Sequence, residues 1–180
     1  MSESLKSKIR TIPNWPKEGI MFRDITTLLL DPQGLKETIQ LLCKRCLETH
    51  EGKIDVIAGI EARGFILGAA MAYELGLGFV PIRKKGKLPG ETFSQDYSLE
   101  YGTDTIEIHK DALNEGQRVL LVDDLLATGG TALGAYELIK KTKAQVVEAC
   151  FVVDLPDLKG GEKLTAHGIP WCALVDFEGE

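Results

Sequence analysis

The chain has 180 residues, 44% hydrophobic and 27% charged, with a formal net charge of −6 at pH 7. That length suits one domain able to bury a sizeable core, and that composition suits an ordinary globular protein. The acid excess argues against nucleic acid as the main partner, because phosphate-backbone binding calls for a basic field; no apolar run approaches the roughly 20 residues that span a bilayer, which argues against a membrane protein. The opening Met-Ser-Glu-Ser-Leu-Lys-Ser-Lys lacks the apolar core of a signal peptide, so a cytoplasmic location is expected.

In chain order, a short helix over about residues 3–10 is followed by an irregular stretch around Pro13 and Pro16. Met21, Phe22 and Arg23 follow Gly19 in a region that looks too irregular for core packing. Asp31-Pro32 opens a helix over residues 34–49, whose apolar face is Leu35, Ile39, Leu42, Cys43, Cys46 and Leu47. A strand at residues 54–58 turns at Gly59 into a helix that runs through Tyr73, and a second strand covers residues 79–82. Residues 83–95 read as a long exposed loop, while 97–101 and 105–108 alternate like antiparallel strands. A continuous apolar run over residues 118–122 reads as a buried parallel strand and leads through a glycine turn into a helix; further strands cover 146–153 and 171–175. Strands alternating with helices predict an α/β fold, a mainly parallel central sheet with helices on both faces. No repeat or linker divides residues 1–180, so a single domain is expected. Cys43 and Cys46 fall on the apolar helix face, and Cys150 and Cys172 in two separate strand-like runs, so all four read as buried reduced thiols.

The most informative segment is Asp123-Asp124-Leu125-Leu126-Ala127-Thr128-Gly129-Gly130-Thr131. A strand ending in an acidic pair, then a glycine turn, then a helix with Ala132, Ala135, Tyr136 and Ile139 at helical spacing places these residues where α/β sheets bind ligands. Small residues at a helix start leave backbone N–H groups open to a phosphate. The two carboxylates suit neighbouring hydroxyls, or Mg²⁺ held through water. One ligand that uses both is a sugar phosphate with vicinal hydroxyls. An ordinary strand-to-helix connector has glycines too, but the paired acids and the flanking threonines favour a binding turn. Elsewhere, Arg63 opens a helix beside Gly64 and can offer a forked donor to phosphate, or else pair with Glu61 or Glu74 at the surface. Arg83, Lys84, Lys85 and Lys87 put four cations into five residues of an acidic protein, in a loop with Gly86, Pro89 and Gly90 that suits a lid over polyanions. Glu100 is either a plain strand carboxylate or an acid/base group, and Phe22 an aromatic able to stack on a flat base.

Together these segments resemble the type I phosphoribosyltransferases, and Phe22-Arg23-Asp24-Ile25 and the segment from Tyr97 to Gly102 resemble the adenine branch of that family. The likeness runs through nearly the whole chain; Glu61-Ala62 departs from the Asp-Ser that many members have before the arginine. The resemblance implies the type I phosphoribosyltransferase fold with a small N-terminal hood, about residues 1–33, over the base. It implies conversion of adenine and 5-phosphoribosyl 1-diphosphate (PRPP) to AMP and diphosphate with Mg²⁺, in a homodimer. It further implies that Ala127, Thr128, Gly129, Gly130 and Thr131 hold the 5′-phosphate, and Asp123 and Asp124 the ribose hydroxyls. Arg63, Arg83, Lys84 and Lys87 would meet diphosphate, some of them across a dimer interface. Met21, Phe22 and Arg23 would meet adenine, Glu100 would manage a proton, and Tyr101 would pack near it as the lid shuts. Two rivals stay open: transfer to hypoxanthine, guanine or xanthine, and a nucleotide-sensing regulator that keeps the fold without the chemistry.

Overall fold

Asp31 accepts a hydrogen bond from the Gly34 N–H at 3.1 Å, and Pro32 supplies the first helical residue, so the longest helix begins where its sequence caps it. The computed structural model describes residues 2–51, 53–98 and 102–179. The elements begin with α1 (Ser2–Lys6), β1 (Arg10–Pro13), β2 (Met21–Asp24), α2 (Thr26–Leu30), α3 (Pro32–His50), β3 (Val56–Ile60) and α4 (Arg63–Leu75). They continue with β4 (Gly78–Lys84), β5 (Thr92–Ser98), β6 (Thr103–His109), β7 (Arg118–Val122), β8 (Leu125–Leu126), α5 (Gly130–Lys141), β9 (Gln145–Asp154), α6 (Gly160–Ala166) and β10 (Trp171–Asp176).

The main sheet runs in the order β10-β9-β7-β3-β4-β6-β5, with β8 also pairing β9. Its pairs from β10 to β4 are parallel, and β6 and β5 add an antiparallel edge. Strand residues alternate between two cores. Ala58, Leu121, Ala149 and Phe151 face α5 and α6, where Ala135, Leu138, Ile139 and Leu164 pack against them. Ile57, Leu120, Val122 and Val152 face α1 to α4, against Leu5, Leu28, Leu42, Leu67 and Met71. A sheet covered on both faces needs such near-continuous apolar strands, which is why the runs over 54–58 and 118–122 are legible.

Three readings need correcting. The stretch around Pro13 and Pro16 is a hairpin: β1 pairs β2 antiparallel, from Arg10 opposite Asp24 to Pro13 opposite Met21. Two four-residue strands rich in polar side chains carry no clear alternation, and so look irregular. Residues 83–95 are not one long loop, because β4 continues to Lys84 and β5 starts at Thr92. Charged and polar residues at 83–84 and 94–96 sit in the antiparallel part of the sheet, where one face is solvated, which hides them from an apolar pattern search. Helix α6, led by Gly160-Gly161, has no counterpart in the predicted elements. A Cβ at Gly161 would lie 2.2 Å from the Trp171 ring, so that glycine is there for packing, not for a loop.

Leu121 is fully buried between α5 and the sheet. Leu121→Ala is expected to cost about 2–5 kcal/mol of unfolding free energy, read as a lower urea midpoint at unchanged slope.

Candidate active site

After β3 the chain crosses to β4 on one side, whereas β7 connects toward β9 on the other. The sheet order therefore reverses between β3 and β7, and connections that diverge there leave a crevice at the carboxyl ends of the strands. Both turns singled out from sequence end at this reversal: residues 61–62 lead into α4 from β3, and residues 123–129 lead into α5 from β7.

Gly64 lets the start of α4 lie against the end of β7. A Cβ there would sit 2.7 Å from the Val122 carbonyl oxygen and 3.0 Å from Asp123 Oδ1. That approach brings Arg63 Nε to donate to Asp124 Oδ2. Arg63 is thus paired neither with Glu61 nor with Glu74. The backbone of the acidic pair is fastened to β9: the Asp123 N–H donates to the Cys150 carbonyl at 3.1 Å, and the Val152 and Val153 N–H groups donate to the Asp124 carbonyl at 3.1 and 3.0 Å. Gly129 then takes a left-handed φ of +73°, and α5 begins at Gly130 with no side chain capping it. A Cβ on Gly130 would lie 2.1 Å from the Ser98 carbonyl oxygen, so only glycine lets β5 meet the helix here.

A cavity of about 420 Å³ opens at this point. It is lined by Arg63, Asp123, Asp124, the turn through Ala127, Thr128, Gly129, Gly130 and Thr131, and Phe151 at its back. Uncapped first-turn N–H groups of α5 border it, as a phosphate site requires. Burial and the neighbouring Asp124 charge push the Asp123 carboxyl well above the usual carboxylate range. Burial works against the Arg63 charge, yet Asp124 and Asp123 outweigh it and hold the guanidinium protonated.

A second cavity, about 280 Å³, is lined by Ile12, Trp15, Phe22, Arg23, Asp24, Ile25, Thr26 and again Arg63. Trp15 and Phe22 meet edge to face at 4.5 Å between ring centroids. Asp24 is buried; burial opposes its charge, but Arg10 and Thr26 donate to it and hold its carboxyl below the ordinary range. Arg23 Nη1 donates to Thr11 Oγ1 at 2.8 Å, and its guanidinium lies 4.7 Å from the Phe177 ring. Met21 does not line this cavity, whereas Trp15 and Asp24, which the sequence did not single out, do. Trp15 lies in the loop that β1 and β2 enclose, so the hairpin carries it to Phe22.

Arg83, Lys84 and Lys87 do not line the larger cavity. Arg83 and the backbone of Lys84 turn to Glu61 instead. Arg83 Nε lies 3.4 Å from Glu61 Oε2, the Lys84 N–H donates to the same oxygen at 2.9 Å, and Arg83 Nη1 donates to the Lys87 carbonyl at 3.1 Å. Lys84 Nζ also pairs with Asp104 at 3.4 Å. Burial opposes the Glu61 charge, but the Lys84 N–H and Arg83 draw its carboxyl below the usual range. The cluster flanks the turn, with Glu61 two residues before Arg63 and the Glu61–Ala62 peptide cis. Glu100 and Tyr101 lie outside the described residues.

A model of the phosphoribosyl transferase domain family matches residues 26–165. An adenine phosphoribosyltransferase of Chlorobium luteolum is 61% identical over 176 residues, covering 98% of this chain and 99% of the relative. One from Nitrosospira multiformis is also 61% identical, over 97% of this chain and 98% of the relative. Among solved structures, the adenine phosphoribosyltransferase of Thermoanaerobacter pseudethanolicus superposes with a TM-score of 0.92 at 49% identity, covering 98% and 100% of the two chains. That of Saccharomyces cerevisiae, complexed with an imino-altritol bisphosphate and adenine, gives 0.91 at 42% identity, covering 96% and 97%.

The raised Asp123 carboxyl has a stability consequence whose sign is fixed. Above the ordinary carboxylate pKa the unfolded chain loses this proton while the ligand-free native state keeps it, so stability falls as pH rises through that window. Asp123→Asn, which cannot ionise, is expected to melt higher than wild type at pH 7 without ligand. The gap should close at about pH 4, the ordinary value for an exposed aspartate. Differential scanning calorimetry at the two pH values checks this, and a pH-independent gap contradicts it.

Proposed function

The chain belongs to the phosphoribosyltransferase family, in its adenine branch, and from that premise we infer how this site carries out the transfer of a phosphoribosyl group from PRPP to adenine, giving AMP and diphosphate. The observation that carries the reading is the placement of the Ala127–Thr131 turn and the acidic pair in one cavity at the sheet reversal, with Arg63 leading from it to an aromatic-lined second cavity.

The bond from ribose C1 to the diphosphate oxygen breaks, and a bond from C1 to a ring nitrogen of adenine forms as that nitrogen gives up a proton. Positive charge builds on the sugar and negative charge on the leaving group, so fixed donors at the leaving group lower the barrier most directly. The amides of Ala127 to Thr131 hold the 5′-phosphate, and Asp123 and Asp124 accept from the ribose hydroxyls. Arg63 neutralises diphosphate from within the cavity, joined by Lys87 and by Arg83 and Lys84 as these leave Glu61 and Asp104. The two adjacent carboxylates at the cavity offer hard oxygen acceptors that fit Mg²⁺ held through water, and the ion when bound would neutralise diphosphate. About residues 1–33 contribute the hood, in which Phe22 stacks on adenine and Met21 and Arg23 shape its surroundings. Glu100 takes the adenine proton and Tyr101 packs over it, both assigned from the sequence resemblance.

A homodimer is part of this proposal. Ile66 and Tyr73 are 48% and 89% exposed, and their seven-residue spacing puts them on one stripe of α4, the helix that begins at Arg63. Covering that stripe sets a second copy beside the cation that serves both cavities. No described helix is long and apolar enough to cross a membrane, and a cytoplasmic setting, where PRPP is available, is proposed with the activity.

Incubation with PRPP, Mg²⁺ and each purine in turn is expected to yield AMP and diphosphate with adenine alone; absence of AMP overturns the reading. Phe22→Ala should raise the KM for adenine about fivefold or more, since base stacking is worth ~1–3 kcal/mol, with the KM for PRPP nearly unchanged. Equal rises in both contradict stacking. Asp124→Asn and Glu100→Gln should each lower kcat far more than they lower the melting temperature.

A further inference from the structure

On the far side of the acidic pair, where α3 covers β9 and β10, the fold gathers side chains that the transfer reaction does not use. Cys150 and Cys172 stand opposite each other in the β9–β10 register, with their sulfurs 3.4 Å apart. Glu148 precedes Cys150 by two positions and therefore shares its face of the sheet. One ligand atom from each of Glu148, Cys150 and Cys172 lies within 4.8 Å of the others. The Glu148 side chain is only 2% exposed; Arg45 donates to one of its oxygens at 3.0 Å, and His50 Nε2 lies 2.9 Å from the other. Sequence alone had set the two cysteines in unrelated strands, and the parallel pairing of β9 with β10 brings them together.

We propose that Glu148, Cys150 and Cys172 form a binding site for a thiophilic divalent cation of the Zn²⁺ type, separate from the substrate cavities. A tetrahedral zinc with Zn–S bonds of about 2.3 Å separates its sulfur ligands by roughly 3.8 Å, and the observed 3.4 Å needs only a small opening to match. Charge closes as well. Two thiolates and a carboxylate carry three negative charges; the divalent ion and the Arg45 guanidinium cancel them, so the occupied site is neutral where a buried net charge would be costly. His50 acts as the supporting group that orients the carboxylate, or it fills the fourth position in place of water. Access is through Cys172, which is partly exposed on the edge strand β10 and lines two surface cavities beside Arg45. The Cys172 and Cys46 thiols and burial all push Cys150 well above the usual thiol pKa, so metal binding there must expel its proton.

The test uses the full-length reduced protein, Zn²⁺ and a chelating indicator. Expected are one ion per chain, about two protons released per ion, and affinity that rises with pH. Co²⁺ in place of Zn²⁺ should give a sulfur-to-metal charge-transfer band and the visible spectrum of a tetrahedral ion. Cys172→Ser should weaken binding at least tenfold and lower the intensity of that band, leaving the contribution of Cys150; Cys43→Ala, at a buried thiol on α3 outside the cluster, should leave both intact. Zn²⁺ should also slow alkylation of Cys172 in the wild-type chain, a measurement that stands even if the serine variant folds poorly. A wild-type chain that binds no ion above micromolar affinity overturns the proposal. So does an unaltered alkylation rate, or a reduced protein that merely forms a Cys150–Cys172 disulfide on exposure to peroxide and takes up no metal.

Discussion

Everything at the crevice rests on the ion pair between Arg63 and Asp124. It joins the first residue of α4 to the loop after β7, across the point where the sheet order reverses. Asp124 is buried and Arg63 about half-buried, so neither charge could be removed without stranding the other, and breaking such a pair costs far more than its formation gains. Gly64 sets the distance over which the pair can form. Once it is formed, Arg63 lies nearer Asp124 than Asp123, and the Asp123 carboxyl has its ionisation opposed by burial and by its neighbour. A fold optimised for stability alone would not place two acids side by side at a strand end. A site built to receive hydroxyls and a cation would, and unliganded stability is lower as a result.

The fastening of the acidic pair to β9 extends this constraint through the sheet. Carbonyl and amide groups of Asp123 and Asp124 are consumed by Cys150, Val152 and Val153, and β8 adds two further residues of pairing at Leu125–Leu126. The loop that looks like free connection is therefore half sheet. Only from Ala127 onward does the backbone turn outward, and there Gly160 comes so close that a Cβ on it would meet the Ala127 carbonyl at 2.2 Å. Rigidity before the turn and glycine contact after it leave the amides of the turn preorganised, as the proposed 5′-phosphate contact requires.

Much of this was legible in the sequence because buried parallel strands need apolar residues on both faces, as β3 and β7 have, and because Asp-Asp and Gly-Gly have few other reasons to stand six residues apart. What escaped reading shares a physical cause. The β1–β2 hairpin, the end of β4 and the edge strand β5 expose polar residues, so pattern gave no purchase. Trp15 and Asp24 reach the second cavity only through hairpin pairing, a contact with no local signature. Arg83, Lys84 and Lys87 stand close in sequence, but pairing across β4 and β6 gives Arg83 to Glu61 and the Lys84 ammonium to Asp104, partners that no local pattern reveals. Cys150 and Cys172 meet only through the strand order, and that is a property of topology.

Arg63 borders both cavities, and the ligands that fill them will therefore share a wall. An anion entering on one side competes with Asp124 for the guanidinium and repositions it against whatever occupies the other side. Thermodynamic linkage then imposes reciprocity: the factor by which the first ligand alters affinity for the second is the factor by which the second alters affinity for the first. Cooperation between the two occupants thus needs no distant effector and no subunit rotation, because one side chain already answers to both.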